Sequence, residues 1–168
     1  MVNQLLFGDL ALTTELSGNW IKIKTIHDDY EGWCDYLQIH ILSDENYDLI
    51  LQLDQQLVSD ITARLSLQGH PGYTLVLGST LHLLPDGLMN GPAGKYHLSE
   101  GESHTPLLHS PEDLVETAML SLKTPYLWGG RSPFGIDCSG LIQMIFKLNG
   151  ISGRRDAAQQ ALEGQTIH

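Results

Sequence analysis

Apolar and polar residues alternate in WIKIKT, residues 20–25, where Ile21 and Ile23 take one face and Lys22 and Lys24 the other. A period of two is the signature of a half-buried strand. Ser17-Gly18-Asn19 supplies a turn before it, and DDYEG (28–32) supplies another ahead of Trp33-Cys34. The pattern predicts short strands to about residue 42. The opening MVNQLLFGD is apolar and reads as though an earlier strand were missing.

A polar stretch, SDENYD (43–48), leads into residues 49–68, which mix β-branched and helical signals and receive no assignment. YTLVLGSTLHLLPDG (73–87) predicts strand, turn, strand, with Pro85-Asp86-Gly87 as turn chemistry. Residues 91–94 and 101–106 read as loops. The style changes at Ser110-Pro111-Glu112-Asp113: a serine cap, proline at the first helical position and acids in the first turn predict a helix start. Leu114, Ala118, Met119 and Leu122 then recur at helical spacing. A second helix is predicted from Cys138 or Ser139 through Leu148, stopped by Asn149-Gly150, and a third from Arg155 to Leu162. The expected fold class is α+β. Residues 1–105 form a small SH3-like β-barrel region in this reading, and residues 106–168 form a helical part.

Composition narrows the partners. The chain has 168 residues, 42% of them hydrophobic and 17% charged, within the range of an ordinary globular protein. Net charge is −11, with only nine Lys and Arg scattered along it. Phosphate-backbone binding needs clustered basic residues, so nucleic acid is not an expected partner, and no basic face exists for anionic lipid. Neither Cys34 nor Cys138 sits in a CxxC or CxxH pair, which disfavours a metal site and leaves a single bridge between them open. The N-terminus lacks the pattern of a secretory leader, and no apolar stretch approaches the roughly 20 residues that span a bilayer. A cytoplasmic location, no membrane and no cofactor are the expectations.

FGIDCSG, residues 134–140, carries the candidate chemistry. Cys138 falls at a predicted helix N-terminus, where unpaired amides and the dipole favour a thiolate. Cysteine is also among the most often buried residues, so local chemistry leaves a core thiol and a nucleophile both open.

The longer segment separates them. Pro125-Tyr126-Leu127-Trp128-Gly129-Gly130, then Asp137-Cys138-Ser139-Gly140-Leu141, then Arg155-Asp156-Ala157 with Gln159-Gln160 together resemble the signature of the NlpC/P60 cysteine peptidases, which have a papain-like core. GNWIKIK and YEGW resemble the bacterial SH3 domain that precedes the catalytic domain in the murein-peptide branch of that family. The resemblance implies hydrolysis of the bond between γ-D-glutamate and a diamino acid in cell-wall peptides with a free N-terminal L-Ala. Cys138 would be the nucleophile, with backbone amides at the helix start binding the oxyanion. Tyr126 would stabilise the oxyanion or contact substrate. Asp137 would hold the free amine or cap the helix, and Ser139 would border the same subsite or bond within the first turn. Trp128 is expected to pack. Tyr30, from the SH3-like part, would help close the peptide site.

Acyl transfer by cysteine needs a base. In the family it comes from strands beyond the nucleophile helix, yet seven of the eight histidines here precede Cys138. His168 follows it in EGQTIH, which resembles the family's linker, so the base is not assigned to it; His109 is expected at the surface or beside a cap. The apolar face Leu141, Ile142, Ile145 and Phe146 is then expected to lack its partner. The sequence reads as a shortened peptidase. The alternatives are an inactive murein-peptide-binding module and an enzyme completed by a partner chain.

Overall fold

The computed structural model describes residues 1–67, 70–107 and 110–165. Its first sheet is the antiparallel ribbon β1 (Ala11–Ser17), β2 (Trp20–Thr25) and β3 (Glu31–Asp35). The alternation in WIKIKT is realised as expected: Ile21 and Ile23 are buried, while Lys22 and Lys24 are half-buried. Lys22 meets Glu31 across the ribbon at 3.4 Å.

The polar SDENYD stretch is the start of a helix, α1 (Asp44–Leu51). The Ser43 side chain accepts from the Asn46 amide, and Asp44 and Glu45 occupy the first turn, where the helix dipole favours acids. The unassigned residues after it divide into β4 (Asp54–Val58) and β5 (Thr62–Leu67). β6 (His70–Val76) and β7 (Thr80–Leu83) bear out the expected strand-turn-strand. Residues 91–94 close a hairpin between β8 (Met89–Gly91) and β9 (Gly94–Glu100). Within the stretch read as a loop, β10 (Ser103–His104) pairs with β4. Two sheets result, in the orders β10-β4-β7 and β6-β5-β9-β8. Val58, Ala63, Leu65, Leu75, Leu81, Met89 and Tyr96 form one core between them. Burying these side chains contributes roughly 1.5–3 kcal/mol each for the larger ones.

The helical part begins with α2 (Pro111–Leu120) and follows the predicted cap: the Ser110 amide donates to Asp113 at 3.0 Å. A two-strand hairpin, β11 (Arg131–Ser132) and β12 (Gly135–Ile136), leads directly into α3 (Cys138–Leu148). The last helix, α4 (Ala157–Glu163), starts two residues later than expected. Asp156 sits at its N-cap position, and Arg155 is left outside the helix, where it is buried.

The expectation of an unpartnered apolar face on α3 is overturned for most of that face. Met144 packs with Leu6 and Ile136, with Val76 and Leu141 against them; Leu148 packs with Leu57 and Leu77. Ile145 is buried, and only Ile142 of the four named residues is exposed. The β-rich part supplies the cover that the sequence reading sought further along the chain. The first ten residues contain no strand. They form a strap across both halves, with Leu6 buried against α3 and Phe7 on the β-core.

Candidate nucleophile site

Cys138 is the first residue of α3 and is exposed; Cys34, in β3, is half-buried, and both thiols are free. The site is built by backbone packing that only glycine permits. A Cβ on Gly140 would lie 2.3 Å from the Gly130 carbonyl oxygen, so the first turn of α3 rests directly on the loop before β11. Gly140→Ala should therefore destabilise the chain by about 1–3 kcal/mol, measured by urea unfolding, because the obstruction is main chain and cannot rotate away. Unchanged unfolding would contradict the close approach.

Asp137 caps α3 with both oxygens engaged. Oδ1 accepts from the Gly140 amide (2.7 Å), and Oδ2 accepts from the Gly129 amide (2.7 Å). Arg155 donates Nη1 to Oδ1 at 3.0 Å and Nη2 to Oδ2 at 2.8 Å, a bidentate pair between buried groups. The same Nη1 reaches the Ser139 hydroxyl at 2.8 Å, and Gln160 donates to the Ser139 carbonyl at 2.9 Å. Burial works against ionisation of Asp137, but Arg155 and the two amides outweigh it and lower its pKa. In this geometry Asp137 and Ser139 both face the scaffold of the helix start.

Tyr126 lies beside the strand that delivers Cys138, forming an isolated parallel bridge to Ile136. Its side chain is 67% exposed, as is that of Trp128, and Phe134 is 65% exposed. The expectation that Trp128 packs is overturned: the tight turn through Gly129 and Gly130 spends its interior space on backbone and turns the indole outward.

Tyr30 sits in the turn between β2 and β3, which docks on α3 and on the segment before α4. Asp28, buried in that turn, accepts from the Thr25 hydroxyl and, at 2.7 Å, from Gln143 of α3. Arg154 donates to the Asp28 carbonyl at 3.2 Å and to the Asp29 carboxylate at 3.3 Å. Docked this way, the Tyr30 phenol feels partial burial and the charge of Asp156, both of which raise its pKa. Asp156 is exposed and makes no side-chain capping bond, unlike Asp137.

Among the described residues, no hydrogen bond or ion pair joins a histidine to Cys138. His82 meets the Gly8 carbonyl (2.9 Å), His104 meets the Leu148 carbonyl (3.0 Å), and His27 lies 3.4 Å from Asp28. His109 and His168 fall outside the described residues. Among the described residues, no group of three or more His, Cys, Asp or Glu could hold a metal ion, and no helix is long and apolar enough to cross a membrane.

Residues 123–168 match the NlpC/P60 family. Over 94% of its length the chain is 32% identical to dipeptidyl-peptidase 6 of Lysinibacillus sphaericus, covering 65% of that protein. Over 98% it is 27% identical to a gamma-D-glutamyl-L-lysine dipeptidyl-peptidase of Bacillus cereus, covering 55% of it. The fold is that of a crystallised NlpC/P60 family protein from Bacillus cereus, with a TM-score of 0.84 at 24% identity over 99% of this chain and 61% of the other. The chain is thus a mixed α and β fold whose residues 123–168 match the NlpC/P60 family. It spans between about half and two thirds of the length of these relatives.

Arg155 and Gln160 stand in the motif quoted from the sequence, but their contacts, and the support that Asn3 and Gln143 give the site, are visible only in the structure. No local signal marks the role of Arg155, because it has the pattern of a surface charge and its partner Asp137 lies 18 positions away.

Among the carboxylates held below their usual pKa, Asp9, Asp28 and Asp137 are the ones with buried side chains, while Asp29 and Asp86 are exposed. A depressed carboxylate adds stability above its unfolded pKa, about 3.9, and loses it as pH falls through the folded value. Burial lowers the pKa of His82, which the unfolded chain protonates first as pH drops through about 6.5. All of them act in one direction. The urea midpoint should fall gently below about pH 6.5 and steeply below about pH 4; a midpoint constant from pH 7 to 3 would contradict this.

Proposed function

We propose that this chain belongs to a cysteine endopeptidase that hydrolyses the γ-D-glutamyl-diamino acid bond of murein peptides with a free N-terminal L-Ala. The observation that carries the reading is an exposed Cys138 at the first position of α3, on a helix start braced through its two flanking residues. The thiolate adds to the carbonyl of γ-D-glutamate and first-turn amides receive the oxyanion; its collapse breaks the C–N bond, the diamino acid leaves as an amine that takes up a proton, and water hydrolyses the thioester to L-Ala-γ-D-Glu and free thiol. The names of the relatives support a peptidase acting on γ-D-glutamyl peptides.

Tyr126 and Trp128 wall the approach to the thiol in this reading. Tyr30 closes the far side, where the N-terminal amine of L-Ala would sit. Ser139 borders that subsite through its backbone, since its hydroxyl is taken by Arg155. Asp137 holds the nucleophile helix, and the carboxylate left to meet a cationic amine beside Tyr30 is Asp156. The β-rich residues 1–105 act as an SH3-like region that positions Tyr30, ahead of a catalytic part in residues 106–168. The expected setting is the cytoplasm, acting on released wall peptides.

The test is incubation with L-Ala-γ-D-Glu-L-Lys and with its N-acetylated form, read by mass spectrometry alongside calorimetry. The reading expects L-Ala-γ-D-Glu from the free peptide and about tenfold less from the acetylated one, since a charge-assisted contact between the amine and Asp156 is lost. Equal cleavage of both would remove the amine subsite. Binding without cleavage would favour a peptide-binding module.

A further inference from the structure

Cys138 is bracketed by two residues that share one guanidinium. Arg155 donates to both oxygens of Asp137 and to the Ser139 hydroxyl, so the residues on either side of the thiol are fixed to one planar group. Arg155 is itself fixed from an unexpected direction. Its Nε donates to Asn3 Oδ1 at 2.8 Å, 152 positions away in the chain. Asn3 also abuts the loop on the other side of the cap: a Cβ on Gly129, whose φ is +78°, would lie 2.9 Å from the Val2 carbonyl carbon and 3.1 Å from the Asn3 nitrogen. Gln4 continues the contact, its Oε1 accepting from the Arg131 amide at 2.8 Å. Residues 2–4 thus touch the turn that feeds Asp137 and hold the cation that clamps it. This segment lies outside the stretch that matches the family.

We propose that Asn3 and Arg155 are positioning residues for the Cys138 thiol, the amide of Asn3 orienting the guanidinium that fixes Asp137 and Ser139. The inference rests on reading Cys138 as the nucleophile and extends that site to the amino-terminal strap. Arginine suits the task because its rigid fork reaches both carboxylate oxygens and the hydroxyl together, which a lysine ammonium cannot do. Its charge also offsets that of Asp137 beside the sulfur. Losing it should disfavour an approaching anion more than a neutral reagent.

Alkylation of the thiol tests this without any peptide, so its failure is distinguishable from a failure to cleave. Rates for iodoacetamide and for iodoacetate are measured on the whole chain, with Cys138 and Cys34 separated by peptide mass mapping and Cys34 as internal reference. Arg155→Met is expected to slow Cys138 with iodoacetamide by about tenfold, the size of one lost charge-assisted hydrogen bond. It should slow iodoacetate more, and leave Cys34 unchanged. Arg155→Lys should keep the ratio between reagents but not the rate. Asn3→Ala should slow Cys138 by about threefold, a neutral contact being weaker, and Asn3→Asp, which keeps an acceptor, should restore it. Cys138 rates within twofold of the unaltered chain in both Arg155→Met and Asn3→Ala would overturn the proposal. So would parallel changes at both thiols, which report general loosening. If Arg155→Met does not fold, the Asn3 pair decides: slowing with rescue supports the proposal, and no slowing overturns it.

Discussion

Replacing Cys138 with alanine is expected to abolish release of L-Ala-γ-D-Glu from a murein peptide, a loss of at least about 10³-fold. The reason is chemical. In the proposed reaction the sulfur bonds to the γ-glutamyl carbonyl carbon before the C–N bond breaks, and alanine has no lone pair to offer. Ordered amides at the start of α3 would still bind the carbonyl oxygen, which leaves only residual acceleration by polarisation. The fold should be indifferent, since the Cys138 side chain is exposed and bonded to nothing among the described residues. Thermal unfolding should therefore match within the roughly 0.5 kcal/mol of an ordinary surface substitution. Turnover by the alanine variant at the original rate would end the assignment of Cys138 as nucleophile.

Asp9→Ala is expected to produce the largest loss of stability, about 3–5 kcal/mol, measured by urea unfolding at pH 7. Asp9 is the acid of a buried trio. Oδ1 accepts from Lys147 of α3 at 2.7 Å, and Oδ2 accepts from Arg131 of β11 at 3.3 Å and from the Leu6 amide at 3.0 Å. Burial opposes ionisation of Asp9, yet the two cations prevail and its pKa stays low. Truncation would leave Lys147 and Arg131 inside the protein without their anion. Arg131 is fully buried, and its Nε and Nη2 have no partner among the described residues, so it has little else to turn to. A chain whose total stability is about 5–15 kcal/mol would lose a third or more of it. Pairing Asp9→Ala with Lys147→Met should recover part of the loss, because one uncompensated charge is removed with its partner. A double variant as unstable as the sum of the single ones would show that the two groups act independently.

The two expectations draw on information of different kinds. The elements around Cys138 were legible because their signals are local. Alternation marks β2, a serine, a proline and two acids mark the start of α2, and an acid before a cysteine followed by helical apolar spacing marks α3. Even SDENYD, which reads only as a polar stretch, carried its cap at Ser43; its polarity masked a short helix whose residues are not buried. Strands β4 and β5 escaped because much of what makes them strands is pairing with β7, β10 and β9, which come from further along the chain.

The support of the site was of the second kind throughout. Asp9, Asp28, Lys147 and Arg155 look, residue by residue, like surface charges, and only the assembled protein shows them buried or half-buried against one another. Asp28 finds Gln143 at a separation of 115 positions, Asp9 finds Lys147 at 138 and Asn3 finds Arg155 at 152. No spacing rule links such pairs, because the chain between them folds through two sheets before they meet. By itself the sequence determined which cysteine heads a helix, which family its surroundings match and which elements lie near it. Tertiary structure alone decided what holds that helix, since a buried charge is selected by the three-dimensional partner that compensates its lost hydration.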